Sequence, residues 1–146
     1  TLFRSLATSA APASGFEAAV RAADIVTSAT MSSEPLIHGD WLRPGQHIDL
    51  IGAYRPDMRE ADDAALLRSR VFVDNRHTTI GHIGELKTPI ANGVFGEDHV
   101  LADFYSLDKF ARRSGDDITL FKNGGGAHLD LMTCRYIMDV WKKKTA

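Results

Sequence analysis

Two glycine-bearing stretches hold the residue types from which a ligand site can be built. The first is His47–Glu60, HIDLIGAYRPDMRE. Its short apolar run, Ile48-Asp49-Leu50-Ile51, breaks at Gly52-Ala53, and Tyr54, Arg55, Pro56 and Asp57 follow at once. In an α/β sheet the residues just past the carboxyl end of a strand line the ligand crevice. A glycine at that point lets a ligand approach the backbone, because it has no Cβ. The same residues also fit a plain strand-to-helix turn punctuated by Gly52 and Pro56. The second stretch is Lys122-Asn123-Gly124-Gly125-Gly126, set between a β-type run and a helical one. Such a loop exposes backbone N–H groups, and a helix N-terminus favours an anion. Lys122 would add a positive charge. The competing reading is a glycine-rich turn that needs positive φ, since the run is neither G-x-G-x-x-G nor a Walker sequence.

Other chemistries find less support. His38, His47, His77, His82, His99 and His128 are scattered, without metal-ligand spacing and without a cysteine cluster, so no metal is expected. No G-x-S-x-G elbow occurs, and the lone Cys134 lies mid-helix as a buried or half-buried thiol, which argues against nucleophilic catalysis. Asp57, Asp62 and Asp63 read as a charge cluster at a helix start. The formal net charge of -2 gives no basic field for nucleic acid or an anionic membrane. Lys142–Lys144 read as a solvated helix end. No apolar run approaches the roughly 20 residues that span a bilayer. A single cysteine fits a reducing compartment, and the cytoplasm is the expected location.

The elements that must position these stretches follow from periodicity. At 146 residues, 44% hydrophobic and 25% charged, the chain has the material for one domain with a real core. Ser14 and Glu17 have capping-box spacing, and Phe16, Ala19, Val20 and Ala23 share a helical face. The β-branched run Ile25–Thr30 reads as a strand closing in small polar residues. Asp40-Trp41-Leu42 reads as a helical turn and Pro44-Gly45 as a type II turn feeding the strand at Ile48. Asp57–Arg70 reads as a helix capped by Asp57 and Glu60, and Val71–Asp74 as a third strand. Residues 75–116 are irregular, with a short helix at Leu101–Phe110 that turns Phe104, Leu107 and Phe110 inward. Ile118–Phe121 is a fourth strand. In the last helix Leu129, Met132, Thr133, Tyr136, Ile137, Val140 and Trp141 recur at the spacing of one buried face. Strands alternating with connections of this length predict parallel crossovers and an α/β sheet.

ADIVTSATMSSEP, LRPGQHIDLIGAYRPDMREADD, VFVDN and RRSGDDITLFKNGGGAHLDL resemble, in order and spacing, the ornithine cyclodeaminase/μ-crystallin family across nearly all of residues 20–137. The resemblance implies an NAD(P)-dependent enzyme acting at the Cα–N bond of a small amino or imino acid. It also implies an α/β fold: a Rossmann-type parallel sheet with flanking helices. By that resemblance Thr27, Ser28, Ala29 and Thr30 border the nucleotide, and Ile51, Gly52 and Ala53 pass the nicotinamide of NADH or NADPH. Asn123 and Gly124 lie beside substrate, and Tyr54 stands where the cyclodeaminases proper carry an aspartate for the distal amine. Tyrosine cannot supply that charge, so the phrase GAYRPDMREADD looks more like the reductase branch, which reduces cyclic imino acids such as Δ1-pyrroline-2-carboxylate to L-proline. Ornithine cyclisation is the alternative. Leu2-Phe3-Arg4-Ser5 resembles the end of the family's second strand, where Arg4 would read a 2′-phosphate. Family chains are roughly twice as long, so residues 1–146 are expected to form a partial nucleotide domain. Its first βαβ unit with the glycine fingerprint would be missing, as would the amino-terminal substrate and dimerisation domain. A non-catalytic remnant or assembly module, pairing with another copy or with the missing half through sheet edge and apolar surface, is the remaining alternative.

Overall fold

The structure is a computed structural model that describes residues 12–145; the reading of Leu2–Ser5, and with it Arg4, lies outside them. Five strands, β1 (Ile25–Ser28), β2 (His47–Leu50), β3 (Ser69–Val73), β4 (Val100–Ala102) and β5 (Ile118–Lys122), form one sheet in the order β1-β2-β5-β3-β4. Every ladder is parallel, as strand–crossover–strand spacing predicts. Parallel strands are covered on both faces and read as apolar runs. Ile48, Leu50, Val71, Val73, Ile118 and Leu120 accordingly form the core with Val20, Leu42, Ala65, Leu66 and Leu86. The flanking helices are α1 (Phe16–Ala22), α2 (Asp63–Arg68), α3 (Arg76–Thr79), α4 (Gly84–Ala91) and α5 (Ala127–Thr145). Gly39–Trp41 makes the expected helical turn, as a 3-10 segment, and Gly45 takes φ +82°, as a type II turn after Pro44 requires.

Several boundaries differ from expectation, each for a local reason. No capping box forms at Ser14: Gly15 is the N-cap, with no side-chain cap, and Glu17 pairs with Arg21 one turn on. The helix read over Asp57–Arg70 is confined to α2, because Asp62 rather than Asp57 caps it, accepting from the Ala65 N–H. Asp57 instead pairs with Arg55 in the preceding loop, and Glu60 turns into the interior. Residues 100–110 are not one helix. Val100–Ala102 is the edge strand β4, and Phe104–Lys109 is a 3-10 segment on which Phe104 and Leu107 are exposed. Phe110 does pack, its ring 4.7 Å from that of Phe72. Helix α4 escapes periodicity because it opens on Gly84 and contains Pro89. The last helix is present, but none of its side chains is buried, and Cys134 is exposed.

Helix α2 approaches the 3-10 turn so closely that only glycine fits at position 39. A Cβ there would overlap the Ala64 carbonyl carbon and the Ala65 nitrogen and lie 2.7 Å from the Ala64 Cβ. Gly39→Ala is expected to lower stability by about 1–3 kcal/mol, the usual range for overpacking. A urea midpoint equal to that of the unsubstituted chain would contradict this packing.

Candidate functional site

Register brings four strand exits into one row. Ser28 pairs with Leu50, Leu50 with Lys122, and Lys122 with Val73. The next residues, Ala29, Ile51, Asn123 and Asp74, therefore leave the sheet side by side, at the carboxyl edge where open α/β sheets hold ligands. Most residues singled out by sequence are gathered here. Thr27, Ala29, Ile51 and Tyr54 are exposed, Thr30, Gly52, Asn123 and Gly124 are half-buried, and Ser28, Ala53 and Lys122 are buried.

Glu60 holds the β1 and β2 side of this edge. Its side chain is fully buried. Oε1 accepts from Ser28 Oγ at 2.7 Å, Thr30 N at 2.7 Å and Thr30 Oγ1 at 2.9 Å. Oε2 accepts from Gly52 N at 2.8 Å and Ala53 N at 3.1 Å. Burial pushes this carboxyl up, but the donors from Ser28, Thr30 and Ala53 outweigh it and hold the pKa below the ordinary glutamate value. Glu60 is itself held in place. Glu85 of α4 accepts from Glu60 N at 2.7 Å and from Ala61 N at 2.9 Å.

Both glycine stretches make close contacts within the protein itself. A Cβ on Gly52 would overlap the backbone N and O of Thr30 and lie 2.6 Å from Glu60 Oε1. The space it leaves is filled by protein. In the β5–α5 loop the Gly124 N–H is taken by Asp74 Oδ1 at 2.9 Å and the Gly125 N–H by Asn123 Oδ1 at 2.7 Å. Gly125 has φ +74°, as the turn reading requires, and these two amides are taken by side chains of the chain itself. Lys122 does not extend its charge into the loop either: it is fully buried and donates to Leu50 O at 3.1 Å. Burial pushes its ammonium below the ordinary lysine value, against Glu85, Glu60, Asp74 and Asp49, which pull it up.

Asp74 does on the β3 and β5 side what Glu60 does on the other. Its Oδ1 accepts from Asn75 N, Thr79 Oγ1 and Gly124 N, while Oδ2 is buried with no partner among the described residues. Beside it a cavity of about 500 Å³ is lined by Asp74, by Phe104, Tyr105 and Leu107 of the 3-10 segment, and by His128, Leu129 and Met132 of α5. Glu60, Glu85 and Asp74 are the residues that sequence reading missed. In the sequence Glu60 has the spacing of a helix cap. The available signal was an acid a few residues beyond a strand exit and just ahead of an apolar helix.

Thr27, Ala29, Ile51 and Tyr54 present two small side chains, an aliphatic one and an aromatic one to solvent at this edge. Among the described residues no group of three or more His, Cys, Asp or Glu is placed to hold a metal ion, and no helix is long and apolar enough to cross a membrane.

A five-stranded parallel sheet with flanking helices defines an α/β, Rossmann-type class of domain, and comparison narrows it. Residues 7–145 match the ornithine cyclodeaminase/mu-crystallin family, and the chain belongs to that family. It is 57% identical over 133 residues to a Δ1-pyrroline-2-carboxylate reductase of Paracoccus denitrificans, covering 89% of this chain and 42% of that protein. The structure of the Thermococcus litoralis Δ1-pyrroline-2-carboxylate reductase in complex with NADH and L-proline is similar, with 32% identity and a TM-score of 0.69 over 75% of this chain and 35% of that one. An archaeal alanine dehydrogenase dimer with bound NAD gives 28% identity and a TM-score of 0.78 over 90% and 42%. The chain thus spans about two-fifths of the length of the curated relatives it matches.

The lowered Glu60 pKa has a definite stability consequence. A carboxylate whose folded value lies below its unfolded one contributes stability that is fully present above the unfolded value, and loses it as pH falls through the folded value. Unfolding free energy is therefore expected to drop below about pH 4.5, more steeply than in Glu60→Gln. Parallel pH profiles for the two proteins in urea titrations would contradict the assignment.

Proposed function

We propose that the chain is part of an NAD(P)H-dependent reductase of cyclic imino acids, of the Δ1-pyrroline-2-carboxylate to L-proline type, with residues 1–146 as its partial nucleotide domain. The observation that carries this reading is the row of strand exits, where Ala29, Ile51 and Asn123 emerge side by side with Tyr54 exposed beyond them. The identity to the Paracoccus denitrificans reductase supports it, as does the NADH and L-proline in the Thermococcus litoralis relative. Thr27, Ala29 and Thr30 would border the nucleotide, with Ser28 beneath them. Ile51 and the backbone of Gly52 and Ala53 would lie along the nicotinamide. When bound, the nucleotide supplies a hydride to the C=N carbon. Asn123, Gly124 and Tyr54 would then orient the imine against it, in a step where alignment is the protein's main contribution. Arg4 would favour NADPH over NADH. Tyr54 offers no carboxylate to a distal amine, which favours imine reduction over ornithine cyclisation. The substrate is a small imino or amino acid.

The test is NAD(P)H oxidation with Δ1-pyrroline-2-carboxylate. The chain would be assayed alone and together with the separately produced amino-terminal portion of the Paracoccus denitrificans reductase. Imine-dependent oxidation with L-proline as product, and no ammonia from L-ornithine, is the expected result. No oxidation in either sample would remove the reading, and ammonia from ornithine would replace it with the cyclodeaminase one.

One observation favours a second reading, an assembly module that pairs with another copy. Helix α5 exposes Leu131, Met132, Tyr136, Ile137, Met138 and Trp141, with Tyr136 70% and Trp141 64% accessible. So many large apolar side chains left exposed on one helix favour an interaction site, and the archaeal relative is a dimer. Sedimentation is expected to show a concentration-dependent dimer that Tyr136→Glu weakens. A monomer at all concentrations would end this reading.

A further inference from the structure

Glu60 and its contacts carry a consequence beyond the reaction class. The two loops that would border the nucleotide belong to different strands, and no hydrogen-bonded ladder extends past Ser28 and Leu50. Between residues 28–30 and 51–53 one backbone bond, Ile51 N to Ser28 O at 2.8 Å, and the Glu60 carboxylate span the gap. Arg59 N to Ser32 O at 2.9 Å joins the two segments further out. The carboxylate takes donors from both loops, two from the Thr30 segment's side chains, one from its backbone and two from the backbone of Gly52 and Ala53. Every partner is a donor. Only an acceptor with two equivalent oxygens satisfies the set, because an amide would turn an NH2 group toward at least one backbone N–H. Glu60 is in turn anchored from beneath: its carbonyl accepts from Leu36 N and Ile37 N, and its N–H is held by Glu85.

We propose that Glu60 is a positioning residue for the nicotinamide nucleotide, fixing the Thr27–Thr30 and Ile51–Tyr54 exits as one rigid platform without touching the ligand. This rests on the nucleotide reading given above. A buried group held from α4 and fastened to both exits sets their separation before any ligand arrives, which lowers the ordering cost of binding.

The experiment combines amide hydrogen exchange on the free chain with NADH fluorescence titration, for the unsubstituted protein, Glu60→Gln and Val100→Ala. The last is a control that loosens β4 at the far edge of the sheet. In Glu60→Gln the Thr30, Gly52 and Ala53 amides are expected to exchange at least tenfold faster, and the Kd for NADH to rise about tenfold. In Val100→Ala the protein is less stable but its Kd is unchanged. Equal Kd values for Glu60→Gln and the unsubstituted chain would overturn the positioning role while leaving the nucleotide reading intact. Equal weakening in Val100→Ala would overturn it too, by reducing the effect to general stability. An unsubstituted chain that shows no saturable NADH binding overturns the nucleotide reading and this inference with it. Should Glu60→Gln fail to fold, Ser28→Ala and Thr30→Val each remove a hydroxyl donor and are expected to raise Kd two- to fivefold. No change in either would overturn the proposal.

Discussion

Glu60 carries a negative charge into the edge of a parallel sheet, and much of the surrounding sequence is what allows it to stay there. An isolated carboxylate moved from water to a protein interior costs many kcal/mol and would simply take up a proton. Here five donors meet it, three of them backbone N–H groups, and its pKa falls instead. Charge-assisted bonds of this kind are each worth about 1.5–3 kcal/mol. The need for them explains choices that otherwise look arbitrary. Position 52 must be glycine because Thr30 and the carboxylate occupy the space of a side chain. Positions 28 and 30 carry hydroxyls because only a short donor reaches Oε1. A second buried acid, Glu85, is spent on the backbone amides that aim Glu60.

The other half of the edge follows the same logic with different residues. Asp74 joins β3 to the β5–α5 loop through Gly124, and Lys122, between the two carboxylates in strand order, donates to Leu50 O. Lys122 lies near Glu60, Glu85, Asp74 and Asp49, which oppose the loss of its proton on burial. The result is a carboxyl edge whose loops are fixed by interior charge rather than by contacts in solvent. Preorganised polar groups of this kind are what ligand-orienting sites require, since nothing has to be rearranged when the ligand arrives.

Legibility in the sequence tracks how local each cause is. The runs at Ile48, Val71 and Ile118 announce parallel strands because interior strands need apolar, β-branched residues. Ile25–Ser28, an edge strand with Ile25 and Thr27 exposed, is announced by β-branching alone. β4 has three residues and pairs at the sheet edge, too short a run to announce anything. The strand exits could be found because Gly52 and Gly124–Gly126 mark where runs end. What the glycines are for could not be found, since that depends on Thr30, Glu60 and Asp74, brought close by the fold from distant positions. Glu60 is the clearest case. Its spacing from Asp57 imitates a helix cap, while its actual partners lie as far back as Ser28. Family resemblance points to Thr27–Thr30 and Ile51–Ala53 but carries no account of what holds them.

Helix α5 shows the converse: periodicity reports that a face is apolar, not what covers it. A helix of 19 residues with no buried side chain draws little from packing, which supplies most of the stability of helices in proteins. Asp130 in its first turn and Lys142–Lys144 in its last favour the helix dipole but contribute only tenths of a kcal/mol each. Cover over Met132, Tyr136 and Trp141 would therefore stabilise the helix as well as the contact. The helix begins immediately after the loop pinned by Asp74, and its first turns line the cavity beside that carboxylate. Ordering α5 from outside must then also fix His128, Leu129 and Met132 against Phe104 and Leu107. Any cover of α5 and the shape of the cavity beside Asp74 are thus linked through one helix.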